Sequence, residues 1–127
     1  MAFSAKLLGN TILETGATVP FTDLISNFGN HYNTGTYTFT CPLNGAYSFS
    51  MTINQYGGDF IQAIMSRSGT ELIRTTADDE GFRDSATVSI VTECLAGEQV
   101  YVTVLSGGNF DGGMSPCHFS GYLIEII

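Results

Sequence analysis

Residues 21–49 read FTDLISNFGNHYNTGTYTFTCPLNGAYSF, and the reading of this stretch decides the fold. Tyr37, Phe39 and Cys41 alternate with Thr36, Thr38 and Thr40. Just beyond a short break, Tyr47, Phe49, Met51 and Ile53 alternate with Ser48, Ser50, Thr52 and Asn54. A period of two places each apolar set on one side of an extended strand and each polar set on the other. Cys41-Pro42-Leu43-Asn44-Gly45 between the runs is turn chemistry, because Pro fixes φ and Asn-Gly tolerates tight bends. Landmarks also stand at set intervals through the stretch: Phe21, Asn27, Tyr32, Phe39, Gly45, Tyr47 and Phe49.

Working outward, the same period recurs along the chain. Ala2 to Leu8 predicts a first strand with Phe3 and Ala5 on one side. Val19 to Ile25 predicts a short strand, and Ser26 to Gly35 an Asn/Gly-rich connection made of turns. Phe60 to Ser66 and Glu71 to Thr76 read as a hairpin closed by Ser68-Gly69. Asp78 to Asp84 reads as a charged loop. Val88, Ile90, Thr92 and Cys94 form the inward row of the next strand, and Val100, Val102 and Val104 follow across Ala96-Gly97-Glu98. Ser106 to Pro116 carries four glycines and reads as a long flexible loop before a last strand, His118 to Ile127.

The chain has 127 residues, 15 of them Gly and three Pro, with 43% hydrophobic content. That length fits a single domain over 1–127, long enough to bury a core without staples. Abundant Gly, Thr, Val, Ile, Tyr and Phe with no helical period predicts an all-β sandwich of short strands. Net charge is −8, and Lys6, Arg67, Arg74 and Arg83 are the only Lys and Arg residues. Nucleic-acid binding needs a cationic surface that displaces counterions, so that class is excluded. No apolar run is long enough for membrane insertion. Residues 1–20 do not read as a signal peptide, since Lys6 and Gly9-Asn10-Thr11 interrupt the apolar run.

The landmarks resemble the signature of the globular head domain of complement C1q, in the C1q/tumour-necrosis-factor-like superfamily. The signature usually closes on an aromatic residue where this chain has Met51. Two further stretches extend the resemblance: Leu95-Ala-Gly-Glu-Gln-Val-Tyr-Val102 looks like the family's hairpin, and Phe119-Ser-Gly-Tyr-Leu123 like its closing strand. With Ala2-Phe3-Ser4-Ala5 the likeness spans nearly the whole chain. It implies a jelly-roll β-sandwich of about ten strands and a homotrimer. Val91, Tyr101 and Leu105, apolar residues on the exposed phase, are candidates for the interface between copies.

Catalytic chemistry is not found. His31 and His118 are the only histidines, no Gly-x-Ser-x-Gly or Cys-x-x-Cys occurs, and the adjacent Cys117 and His118 point to opposite faces of a strand. Three cysteines permit one bridge. Cys41 and Cys94 fall on apolar phases and are expected as buried thiols, with a disulfide as the alternative. Asn109, Phe110 and Asp111 in the glycine-rich loop offer amide, ring and carboxylate, and are the candidate ligand-binding residues. The alternative reading is a mobile surface loop. Asp78, Asp79, Glu80 and Asp84 supply the hard oxygens calcium requires, or else a solvated acidic loop. Collagen X-like members of the family hold calcium through acidic residues in this connection, near the trimer axis. The resemblance therefore points to Asp78, Asp79 and Asp84 as calcium ligands. Asp84 fits the family's spacing most directly, and the Asp78-Asp79 pair fits it across a gap of two residues.

The resemblance implies a secreted, extracellular, non-enzymatic recognition module. Many soluble members act as lectin-like pattern-recognition proteins of innate immunity that bind microbial surface glycans. A cytokine- or hormone-like ligand of a cell-surface receptor, or a trimerising structural head, are the other classes it allows.

Overall fold

The computed structural model describes residues 1–57, 60–78 and 83–127, with Arg83 and Asp84 described by their backbone alone. Among them run twelve strands: β1 (Ala2–Leu7), β2 (Thr11–Leu13), β3 (Phe21–Phe28), β4 (Tyr32–Asn33), β5 (Thr38–Thr40), β6 (Gly45–Tyr56), β7 (Phe60–Arg67), β8 (Thr70–Asp78), β9 (Arg83–Cys94), β10 (Gln99–Ser106), β11 (Gly108–Phe110) and β12 (His118–Ile126). In the first sheet β9, β6, β12, β1 and β3 lie side by side, and β11 joins β6 at Gln55 and carries β2. The second sheet has the order β4-β5-β10-β7-β8. Every strand pair is antiparallel. The expected jelly-roll sandwich is what forms, and the short strands β2, β4 and β11 raise the number above ten.

The alternation read from residues 47–53 is observed as far as Met51, beyond which Thr52 and Asn54 are buried as well. Tyr47, Phe49, Met51 and Ile53 are buried, while Ser48 and Ser50 are half-exposed on the other face. Phe3 is the hub of the core. Its ring lies 4.9 Å from Tyr32, 4.8 Å from Phe39 and 4.8 Å from Phe119, so one side chain of the first sheet joins two of the second. Aromatic contacts of this kind contribute about 0.5–1.5 kcal/mol each beyond their buried area. The hairpin between β7 and β8 turns through Ser68 (φ 45°) and Gly69 (φ 89°), the doubly positive geometry that matches strand twist.

The landmarks acquire physical reasons. Asn27 closes a two-bond clamp on Tyr32: the Tyr32 amide donates to Asn27 Oδ1 at 3.1 Å, and Asn27 Nδ2 donates to the Tyr32 carbonyl at 2.9 Å. The Tyr32 hydroxyl donates to the Phe21 carbonyl at 2.7 Å. Tyr47 closes the turn before it, its hydroxyl donating to the Leu43 carbonyl at 2.7 Å. At Gly45 a Cβ would stand 2.5 Å from Leu123 Cδ1 and 2.7 Å from the Glu125 carbonyl oxygen, so only Gly lets β12 approach.

Four expectations are corrected. Cys41 and Cys94 form a disulfide, with Cα atoms 6.4 Å apart. Strand phase marks both as inward but cannot say that two inward positions on different sheets meet. Tyr37 is not in a strand: it turns at φ 63°, and β5 starts at Thr38. The 108–110 segment is a strand and not part of a free loop, because β2 supplies it with a partner. The acidic connection is shorter than read, since Asp78 ends β8 and the Asp84 backbone pairs with Gln55 inside β9.

Candidate recognition site

The turns between β3 and β5 enclose a cleft of about 420 Å³ lined by Asn30, His31, Tyr32, Asn33, Thr34 and Thr40. Its frame is fixed by hydrogen bonds. Asn27 clamps Tyr32, and the Asn30 amide donates to the Asn27 carbonyl at 3.1 Å with Asn30 itself at φ 61°. Asn33 Oδ1 accepts from the Gly35 amide at 2.7 Å and the Thr36 amide at 3.3 Å, an Asx turn. The Thr40 amide donates to the His31 carbonyl at 3.0 Å. The His31 ring lies over Gly29, where a Cβ would come within 2.7 Å of Cδ2 and Nε2. Tyr32 keeps its phenol in the core, where burial first and the Tyr37 phenol second push it up from the ordinary tyrosine range. The sequence marks these residues only as turn formers. Their shared signal is the density of Asn, Thr and His, which period-based reading passes over.

The residues expected to bind ligand lie elsewhere. Phe110 is 0% exposed and Asp111 1% exposed, so neither ring nor carboxylate is presented at the surface of this chain. Asn109 is half-buried in β11, opposite Ile12. Asp111 is structural: its carbonyl accepts from the Cys117 amide at 2.8 Å and its Oδ1 from the Gly113 amide at 2.8 Å. Beside it, burial pushes the Cys117 thiol up to about 11. Of the acidic set, Asp78 is exposed at the end of β8, while Asp79 and the Asp84 side chain lie outside the described residues. Among the described residues no group of three or more His, Cys, Asp or Glu converges on a metal position. Near this connection lies Gln55, in register with Asp84; among the described residues its buried carboxamide Oε1 and Nε2 have no hydrogen-bond partner.

The outer face of the first sheet is ordered in rows that follow from strand register. Val91, Ser48, Tyr122, Ala2 and Phe28 form one row, with Val91 64%, Tyr122 54% and Phe28 66% exposed. The next row is Ser89, Ser50, Ser120, Ser4 and Ser26, and Ser50 and Ser89 join Oγ to Oγ at 2.7 Å. The third is Thr87, Thr52, His118, Lys6 and Asp23, closed by a Lys6–Asp23 ion pair at 3.5 Å. Tyr101 and Leu105 do not share this face. They are half-buried on β10 of the second sheet, where the Tyr101 hydroxyl accepts from the Gly69 amide at 3.1 Å.

Comparison with known proteins agrees with this architecture. The globular domain of zebrafish complement 1qA superposes with a TM-score of 0.80 at 19% identity, covering 99% of this chain and 98% of that one. The Eiger TNF of S. frugiperda gives 0.79 at 10% identity, covering 100% and 96%. These likenesses show a common fold. In sequence, the chain is 29% identical over 113 residues to complement C1q and tumor necrosis factor-related protein 9 of Mus musculus, covering 86% of this chain and 34% of that protein. It is 27% identical over 113 residues to the related protein 9B of Homo sapiens, with the same coverage. The chain thus spans about a third of the length of these relatives. The C1q domain family matches residues 2–124, and the chain belongs to that family of non-enzymatic domains.

Proposed function

We propose that this chain is a secreted recognition module that binds microbial surface glycans as a homotrimer. The observation that carries the assembly is the Val91–Tyr122–Phe28 row, which crosses five strands on a face that one sandwich leaves uncovered, and glycan binding is what the family resemblance adds to it. Exposed apolar rows of this kind mark interfaces. Three linked copies turn a weak sugar contact into avid binding to a repetitive surface. The Cys41–Cys94 bridge supports an oxidising, extracellular setting. Calcium is proposed at the connection between β8 and β9, with Asp78, Asp79 and Asp84 as ligands, because carboxylates supply the hard oxygens it takes. Sedimentation equilibrium tests the assembly: three copies, 3 × 13.6 kDa or about 41 kDa, are expected, and a lone monomer at micromolar concentration contradicts it.

A receptor ligand of cytokine type is the second reading. It is favoured by the curated relatives, whose names join complement C1q with tumor necrosis factor. Saturable binding to host cells with no dependence on glycans would select it over the first.

A further inference from the structure

We infer that the cleft between β3 and β5 is the sugar-binding site and that it selects neutral saccharides over acidic ones. The inference rests on the lectin reading above and names the site and ligand class that reading leaves open. Three observations carry it. First, the lining holds amides, hydroxyls and an imidazole, with no Lys, Arg, Asp or Glu. Second, its side chains keep hydrogen-bonding capacity to spend. Among the described residues, Asn30 Nδ2, Asn33 Nδ2, the His31 ring and the hydroxyls of Thr34 and Thr40 make no hydrogen bond within the chain, whereas the Asn30 and Asn33 carboxamide oxygens are already engaged. Donors of amide type beside hydroxyls that both donate and accept match the paired hydroxyls of a sugar ring. Third, the frame is set before any ligand arrives, by the Asn27 clamp on Tyr32 and the Asx turn at Asn33. Preorganised polar groups lose little freedom on binding.

The charge class follows from the same lining. A carboxylate- or sulfate-bearing sugar would leave water without meeting a Lys or Arg, and the chain as a whole carries −8. A peptide fits less well, since peptide grooves use side-chain pockets or a free strand edge, and the lining supplies no aliphatic residue.

The test is surface-immobilised binding of the intact protein to a mannan, a galactan and a β-glucan as neutral probes, with polysialic acid as the acidic one. Variants are Asn30→Asp, Thr34→Ala and Thr40→Val, with Glu71→Gln on β8, the opposite edge of the second sheet, as control. Melting curves confirm that each variant is folded; should Asn30→Asp misfold, the two Thr variants carry the test. Expected are binding to at least one neutral probe that is unchanged between about 50 and 500 mM salt, a loss of about tenfold in affinity in each cleft variant, and no change in the control. Neutral binding with undiminished variants overturns the site and leaves the lectin reading standing. Preference for polysialic acid overturns the ligand class. Binding to none of the polysaccharides overturns the lectin reading and the site together.

Discussion

Breaking the Cys41–Cys94 bridge, by Cys41→Ala with Cys94→Ala or by reduction of the wild type, lowers stability by an amount that can be worked from the structure. The bridge closes a loop of 53 positions. Without it the unfolded chain regains loop entropy of about 14 cal/mol/K at this length, which is about 4 kcal/mol near room temperature. For a 127-residue domain the unfolding entropy is about 270 cal/mol/K, so the midpoint falls by about 15 °C. The bridge joins the residue after β5 in one sheet to the last residue of β9 in the other, so its loss also frees the sheets at that end. Urea and thermal unfolding at one fixed protein concentration, with and without reductant, measure the effect. Thiol titration gives the chemical control. Cys117 is buried with its pKa pushed up to about 11, so native protein near pH 8 should yield no reactive thiol. Denatured protein should yield one, and denatured reduced protein three. Three thiols without reductant, or identical melting curves with and without it, would refute the reasoning.

Three further outcomes follow from particular contacts. Gly121→Ala places a Cβ 2.4 Å from Phe49 Cδ1 and 2.9 Å from Phe3 Cε1, so overpacking should cost about 1–3 kcal/mol in urea denaturation; an unchanged midpoint would mean the rings yield freely. The His118 ring is exposed on the outer face, and partial desolvation by its neighbours holds the imidazole below its ordinary value, so the unfolded chain binds the proton first, and stability should fall slightly as pH drops below about 6.5. His118→Gln should flatten that dependence between about pH 7 and 5, and a parallel curve for the variant would dismiss the group. Excess calcium should raise the wild-type melting temperature relative to chelator at fixed ionic strength, with the gain shrinking in Asp84→Ala; coincident curves would make these acids a solvated face.

The strand pattern was legible because period two is a local property; β1, β7 and β10 carry it along most of their length, and β6 carries it as far as Met51. Short strands were not. Neither Thr11–Leu13 nor Gly108–Phe110 has enough residues to show a period, and each exists because the other supplies its partner. The Cys41–Cys94 bridge was hidden for a related reason, since phase fixes which face a side chain takes and not what lies across the core. The buried Phe110 and Asp111 show the reverse error, in which a glycine-rich run implied exposure that the β11–β2 pairing removes. The cleft was out of reach because Asn30, Asn33 and Thr40 come together only once Asn27 clamps Tyr32.

A glycan array, probed with the purified protein in calcium and again in chelator, tests the central claim most directly. Specific, competable binding to neutral microbial glycans is the predicted result. An array without signal, alongside saturable binding to host cells that survives deglycosylation, would contradict it.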